Sequence, residues 1–376
     1  MIVNDNPFLL ILFIIFILTA LVQVFYYLFY YLSPGLFKAP DTSTPKGPVS
    51  VIICARNEEV NLRNFLPKVL EQEYSGFEVI VVNDCSDDDS YNVLGEYLLK
   101  YPNLHVSNIT KDPKFTHNKK FAQFIGIKAA QNEILLFTDA DCCPESQKWI
   151  ETMVSHFDDK TDFVLGYGGY FASRGLLNKY IRYDSMVIAM QYLGMAIRGN
   201  PYMGVGRNLA YRRSVFFDKK GFGNYSHLAS GDDDLFVNAN ALKTNTSLEF
   251  RKESHTRSVP ASGIGQFLKQ KKRHLTTARH YKFRDKIILT GEPASRILFF
   301  ISFIILLSKL FYWPVVLMIF AIRLLVQVIV LYMAGEKFNE KGILFWSLIF
   351  DIISPFINSF IYISSRWQDP GKYQWK

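Results

Sequence analysis

The chain has 376 residues, 49% hydrophobic and 15% aromatic, and carries a formal net charge of +8 at pH 7. At roughly 150 residues per domain there is room for about two domains, but the apolar residues gather at the two ends and leave residues 40–290 looking like an ordinary soluble α/β protein. No helix-turn-helix, zinc-finger or RNA-binding signature accompanies the positive charge, so nucleic acid is excluded as a partner and a surface of anionic lipid suits the balance.

In chain order, residues 7–31 are almost wholly apolar and aromatic, enough to cross roughly 30 Å of hydrocarbon as a helix. The stretch lacks the basic start and small-residue cleavage site of a signal peptide, so a retained transmembrane helix within residues 1–32 is expected. Asp5 precedes it, while Lys38, Lys46 and Arg56 come after it. The positive-inside rule then puts the amino terminus outside and the middle region in the cytoplasm. Residues 33–48, rich in Pro, Ser, Thr and Gly, read as a linker.

Residues 49–286 form the catalytic candidate. Residues 49–54 and 77–82 read as buried β-strands, a short strand comes next near 104–106, and residues 134–137 make a fourth. Between them lie a helix with Leu62, Phe65, Leu66, Val69 and Leu70 on one face, then helices over 91–101 and 119–130. This alternation implies right-handed crossovers and a parallel sheet, whose ligands bind beyond the carboxyl ends of the strands. Polar clusters stand at three of those ends, residues 56–59, 83–88 and 139–141. On an extended backbone Asp139 and Asp141 point the same way and suit one hard divalent cation, which can bridge diphosphate oxygens. A solvated acidic turn is the alternative. No Gly-x-Gly-x-x-Gly stands after the first strand and no Walker lysine motif occurs, so dinucleotide redox and P-loop chemistry lose support. The four cysteines, Cys54, Cys85, Cys142 and Cys143, include no Cys-x-x-Cys pair and no histidines at zinc spacing, and are expected as reduced thiols.

Residues 162–170 read as a strand and 176–197 as an amphipathic helix. Gly204 and Gly206, beside Arg207 and Asn208, permit close backbone approach to a ligand. Asp232, Asp233 and Asp234 precede an apolar helix. They either load its N-terminus or, by mutual repulsion, include one acid suited to act as a general base.

Residues 267–275 read as an interfacial amphipathic helix, near 263–283, with Gln270 and Arg273 on one face. For Lys269, Lys271 and Lys272 a solvated basic face over anionic lipid is the alternative. Beyond it, residues 297–311, 314–334 and 343–364 are membrane segments, two or three helices within 297–365. Lys309 and Arg323 interrupt them, and such charges are costly unless they snorkel or face protein. Residues 335–342 read as a polar loop and 366–376 as a basic tail. Three crossings leave that tail outside, its charge argues for inside, and one segment lying along the surface stays open.

Taken in this order the pieces resemble the membrane-anchored glycosyltransferases of family 2. The likeness spans residues 48–281: residues 55–58 after the entry strand, Asn83-Asp84, Lys119-Lys120 before a helix, and Thr138-Asp139-Ala140-Asp141. It continues through residues 206–212 and 231–234 to Gln270-Lys271-Lys272-Arg273-His274. The resemblance implies an α/β fold of GT-A type, a Rossmann-like, mostly parallel sheet with flanking helices, and transmembrane helices at both ends. It implies inverting transfer from a nucleotide-sugar, a UDP-sugar, to a lipid-linked or glycan acceptor at the membrane. Asp84 would meet the uracil or ribose, with Ala55, Glu58 and Lys119 in the same pocket. Asp139 and Asp141 would hold Mg²⁺ or Mn²⁺ against the diphosphate, with Asp139 also near the donor sugar. Asp233, or Asp232, would take the acceptor hydroxyl's proton. Gly206, Arg207, Asn208, Gln270, Arg273 and His274 would lie on the diphosphate and acceptor side.

There are departures from the family's pattern. His274 stands where the Gln-x-x-Arg-Trp motif has tryptophan, and an acid triplet stands where many members carry Glu-Asp. The C-terminal spans are few beside those of polymer-secreting synthases, which favours addition of one or a few sugars over a processive polysaccharide synthase. A catalytically inactive membrane scaffold of the same fold is the non-enzyme alternative. The expected setting is an integral, multi-pass protein of the inner (plasma) membrane with its catalytic domain in the cytoplasm.

Overall fold

The computed structural model describes residues 6–40, 47–111, 118–228 and 230–365. The basic tail 366–376, and the charges of Asp5 and Lys46, lie outside the described residues. Among the described residues there are ten strands: β1 (Val49–Ala55), β2 (Phe77–Asp84), β3 (Leu104–Ile109), β4 (Ile134–Asp139), β5 (Cys142–Pro144), β6 (Phe163–Gly166), β7 (Gly168–Tyr170), β8 (Leu209–Arg212), β9 (Thr246–Glu249) and β10 (Thr256–Ser258). Seven make one sheet in the order β3-β2-β1-β4-β8-β6-β9, and three make a second in the order β5-β10-β7. β3, β2, β1 and β4 are parallel, and β8 runs antiparallel to both of its neighbours.

The period-two alternation of a strand explains how the large sheet closes. On β1, Val49, Val51, Ile53 and Ala55 pack with Leu62, Leu66, Val93 and Leu94 from the helices Glu59–Leu70 and Ser90–Lys100. Ile52 and Cys54 point the other way, toward Ala122 and Ile127 of the helix Lys119–Ala129. The helix Leu176–Ile197 is buried on most sides rather than amphipathic, because it lies between strands β7 and β9 and the N-terminal helix. Their approach is close: a Cβ at Gly194 would fall 2.2 Å from the Tyr30 carbonyl oxygen, a contact only glycine allows. The single strand read over 162–170 is in fact two. The chain breaks at Tyr167, so β6 joins the large sheet and β7 the small one.

Four helices are long and apolar enough to cross a membrane among the described residues: Pro7–Leu36, Phe283–Ser308, Trp313–Lys337 and Leu344–Ser364. The second starts well before the segment expected from hydropathy, and it runs antiparallel to the first. Phe16 stacks on Phe299 at 4.9 Å, while Gln23 donates to Ser295 Oγ at 2.8 Å. Arg323 faces protein and does not snorkel: it pairs with Asp351 at 2.7 Å, and Asp351 also accepts from Arg296 at 2.8 Å and from the Tyr27 hydroxyl at 3.0 Å. Lys309 caps the end of its helix and lies outside the span. The outer apolar cluster consists of Leu9, Phe16, Ala20, Phe299, Phe300, Leu306, Phe311 and Val316, with nothing from the last helix among the described residues. That helix instead packs Phe350 on Tyr180 and Tyr183 of the catalytic domain. Its other side exposes Phe345, Ile349, Ile352, Ile353, Phe356, Phe360 and Ile363.

Candidate active site

The carboxyl ends of the parallel strands bring separate loops together. The register sets Cys54 beside Asp139 and Ala55 beside Asn83. The loops after β1 and β2 are tied to each other: Asn57 N–H donates to Ser86 Oγ at 2.9 Å, Asp87 N–H to Asn57 Oδ1 at 2.7 Å, and Glu58 N–H to Ser90 Oγ at 3.1 Å. Glu58 accepts from Asn61 at 2.5 Å, and Asp84 is fully buried at the end of β2. Burial pushes the Cys54 thiol up, with Asp232, Asp139 and Asp84 adding to the shift and Lys119 opposing it, so all four charges surround one strand end.

Lys119 is the hub. It opens its helix just after the N-cap Asn118, and its ammonium lies 2.6 Å from Asp139 and 3.4 Å from Asp232. Burial works against its charge, but Asp139, Asp232 and Asp233 outweigh that and hold its pKa well above the usual lysine range.

Asp139 ends β4, Ala140 and Asp141 make a turn, and Cys142 begins β5. The backbone is therefore not extended through the pair as expected. The turn nonetheless gathers ligand atoms of Asp139, Asp141 and Cys142 within 4.8 Å of one another. Ser258 Oγ donates to Asp141 Oδ1 at 3.0 Å, and Val259 N–H donates to the Asp141 carbonyl at 3.1 Å. Two carboxylate oxygens held by neighbours in one place fit a hard divalent cation. Burial, then Asp141 and Asp139, push the Cys142 thiol well above its ordinary pKa, so it is a neutral third neighbour.

The three consecutive acids separate into three environments. Asp232 is buried beside Lys119. Asp234 is buried and accepts hydrogen bonds from the Tyr281 hydroxyl at 2.6 Å and from the Thr277 hydroxyl, which ties it to the end of the helix Ile264–Thr277. Asp233 is half-buried and accepts from Gly206 N–H at 2.6 Å and Asp234 N–H at 2.8 Å. Burial, then Asp232 and Asp234, push its acid up to about 7. Asp233 thus both caps the helix Asp234–Asn240 and has the proton affinity of a general base.

On the opposite wall Arg207 lies over the Tyr170 ring at 4.5 Å and donates to Ser185 at 3.3 Å. Asn208 is buried and engaged with protein: it donates to the Tyr167 and Ser254 carbonyls at 2.8 and 2.7 Å and accepts from Trp149 Nε1 at 3.0 Å. Gln270 reaches the Tyr170 hydroxyl at 3.5 Å. Lys271 is not a solvated basic residue, since it is buried against Asp184. His274 is exposed on the helix Ile264–Thr277. Desolvation there, and then Arg273, Arg207, Lys119 and Lys271, hold its pKa well below the usual histidine range, so it is neutral at pH 7.

The family model described as "Glycosyl transferase family 2" matches residues 50–217, and "Glycosyl transferase family group 2" matches residues 134–348. This chain is a family 2 glycosyltransferase. Glycosyltransferase AglE of Haloferax volcanii is 31% identical to it over 224 residues, 59% of this chain and 70% of that protein. Probable glycosyltransferase YdaM of Bacillus subtilis is 30% identical over 174 residues, 44% of this chain and 41% of that protein, so the chain spans less than half of YdaM's length. A mannosyltransferase structure, PcManGT from Pyrobaculum calidifontis in complex with GDP-Man and Mn²⁺, covers 88% of this chain and 99% of its own at a TM-score of 0.56 and 16% identity. At that identity the likeness concerns the fold, which is GT-A.

Three residues around this glycosyltransferase's cleft are absent from the expectations. Cys142 adjoins Asp141 in sequence and was legible as a neighbour. Ser258 lies 117 residues from the carboxylate it holds, and Tyr170 lies 100 residues from Gln270; nothing local marks either.

Proposed function

We propose that this glycosyltransferase is a membrane-bound, metal-dependent, inverting enzyme that moves a hexose-type sugar from a UDP-sugar to a lipid-linked acceptor. The observation that carries this reading is Lys119, which joins the Asp139–Asp141 pair to Asp232 while Asp233, its acid raised to about 7, stands beside them. The cation-binding pair and the base therefore share one cleft.

Asp139 and Asp141 are the residues to hold Mg²⁺ or Mn²⁺, and the ion would neutralise charge on the diphosphate. Asp84, Glu58 and Ala55 line the nucleotide end. Asp233 takes the proton of the acceptor hydroxyl as its oxygen bonds to the anomeric carbon. The bond from that carbon to the diphosphate oxygen breaks on the opposite face, and the nucleoside diphosphate leaves with the electron pair. Lys119, Arg207 and Arg273 supply positive charge around the leaving group. The neutral His274 occupies the acceptor side, where an aromatic ring without charge can still stack on a sugar.

The membrane side supports a lipid acceptor. The helix Ile264–Thr277 ends at Asp234 and leads, through the short turn Ala278–His280, into the helix Phe283–Ser308, which suits a cleft held near the bilayer surface. For the topology, the last helix joins no outer cluster, and its exposed side is one apolar stripe. Both features suit a helix lying along the cytoplasmic leaflet. Three crossings plus one surface helix keep the catalytic domain and the basic tail in the cytoplasm.

Incubating membranes with a panel of labelled nucleotide-sugars and Mn²⁺, then separating lipid products, tests the reading. A discrete labelled lipid from a UDP-sugar is expected. Wild-type yield from Asp141→Asn or Asp233→Asn would overturn it, and a ladder of high-mass product would replace single addition with processive synthesis.

A further inference from the structure

We propose that the turn between the last two membrane-associated helices belongs to the working parts of the active site, with Glu340 as a positioning residue for Asp141. The inference rests on the reading of Asp139 and Asp141 as cation ligands, and it adds a residue far from that pair in sequence.

Residues 335–342 look like a polar connector, and Glu336, Lys341 and Gly342 are exposed, but the structure turns Phe338 and Glu340 into the protein. The helix runs on to Lys337, and Phe338, Glu340 and Ile343 are buried, Glu340 at 4% exposure. Asn339 takes a left-handed φ of 54°, and Glu340 N–H closes back on the Gly335 carbonyl at 2.8 Å. Phe338 stacks on Tyr167 at 4.4 Å. The turn is therefore a plug seated in the catalytic domain.

Its carboxylate is fully engaged. Glu340 accepts from Arg182 Nε at 2.7 Å, from the Tyr167 hydroxyl at 2.9 Å and from Arg257 Nη1. The same arginines also hold the turn's backbone: Arg257 donates to the Phe338 carbonyl at 2.8 Å and Arg182 to the Lys341 carbonyl at 2.9 Å. Glu145, partly exposed, lies 3.1 Å from Arg257 and 3.5 Å from His255, so two arginines face two glutamates in one cluster. There is no spare room. A Cβ at Gly169 would fall 2.2 Å from Arg257 Nη1 and 2.9 Å from Glu340 Oε1.

The link to the cation site is β10, which is three residues long. Alternation along a strand sends Thr256 and Ser258 to the side opposite Arg257. Ser258 donates to Asp141 at 3.0 Å, and Thr256 donates to the Arg207 carbonyl at 3.0 Å. β10 pairs with β5 at Cys142, Cys143 and Pro144, directly after Asp141. So short a strand has little ladder of its own to set its position. Glu340, gripping Arg257 from behind, sets where Ser258 and Asp141 lie. Partners one shell beyond a metal's ligands typically govern affinity by about 10–100-fold.

The test uses the full chain in detergent, with Mn²⁺ as the probe, reading the Mn²⁺ concentration for half-maximal transfer, Mn²⁺ binding by electron paramagnetic resonance, and the melting temperature. Glu340→Gln keeps the shape and removes the charge. Half-saturation by Mn²⁺ should rise about tenfold or more, direct Mn²⁺ affinity should fall in step, and kcat at saturating Mn²⁺ should fall by less than about threefold. Glu340→Asp, which keeps the charge on a shorter stem, should move in the same direction by less, and it serves if the glutamine variant does not fold. Glu249→Gln breaks a buried ion pair with His156 at 2.7 Å and is the control: it should lower the melting temperature and leave Mn²⁺ half-saturation unchanged. If the Glu340 variants behave like that control, Glu340 is a structural residue only and the inference is overturned. If the wild type itself binds no Mn²⁺, the cation reading falls, and this inference with it.

Discussion

The two sheets of this glycosyltransferase are built on opposite plans. The parallel half of the large sheet, β3-β2-β1-β4, comes from one stretch of chain, and its faces are closed by the helices that connect those strands. The small sheet β5-β10-β7 collects three-residue strands from distant places, and its middle strand is gripped from the loop at Glu340. The first supports itself, because each strand and its neighbouring helix bury a continuous apolar face. The second is too small to do so, and its position depends on side chains reaching in from other elements. The loops that carry Glu58 and Asp84 rest on the first, and Asp141 rests on the second.

The largest effect should come from removing the proposed base, Asp233. Asp233→Asn should lower transfer by about 10²–10⁴-fold with an unchanged melting temperature, measured with labelled donor and saturating Mn²⁺. A smaller, graded effect should come from pH. Because the acid of Asp233 is raised to about 7, it is protonated and idle below that pH. Transfer should therefore fall about tenfold per unit as pH drops from 7 toward 5. Asp232→Asn removes a neighbouring negative charge, so it should move that inflection to lower pH; an unmoved profile would assign the base elsewhere.

The self-supporting half gives the contrasting result. Leu136→Ala, at a fully buried position of β4, should cost about 2–5 kcal/mol of stability. Chemical denaturation should show the loss, while Mn²⁺ half-saturation in the folded fraction stays at the wild-type value. The last prediction concerns the membrane side and changes no rate. A carboxyl-terminal fluorescent reporter should light in the cytoplasm, and a phosphatase reporter that works only outside should stay silent. The reverse pattern would make the helix Leu344–Ser365 a fourth crossing.

Much of the fold and the site is legible in the residues alone. The strands at 49–54, 77–82 and 134–137 are visible because a strand buried on both faces is a continuous run of Val, Ile and Leu. Asp84 and Asp139 are visible because such sheets put ligands at strand ends, whereas Lys119, at the start of a helix, is picked out only by the family resemblance. The acid triplet announces a raised pKa through repulsion alone, but not which member carries it. The failures share a cause. The break at Tyr167, the engagement of Asn208, the burial of Lys271 and the insertion of residues 338–343 all depend on partners far along the chain.

By itself, then, the sequence determined the features set by local period and composition: which stretches are strands, which helices are greasy enough for lipid, and which strand ends carry acids. Only the tertiary structure decided which acid is half-buried, which lysine joins the carboxylates, and which glutamate grips β10 from behind. Hydrophobic periodicity is written in neighbouring residues, whereas desolvation and charge pairing are set by whatever the fold brings alongside.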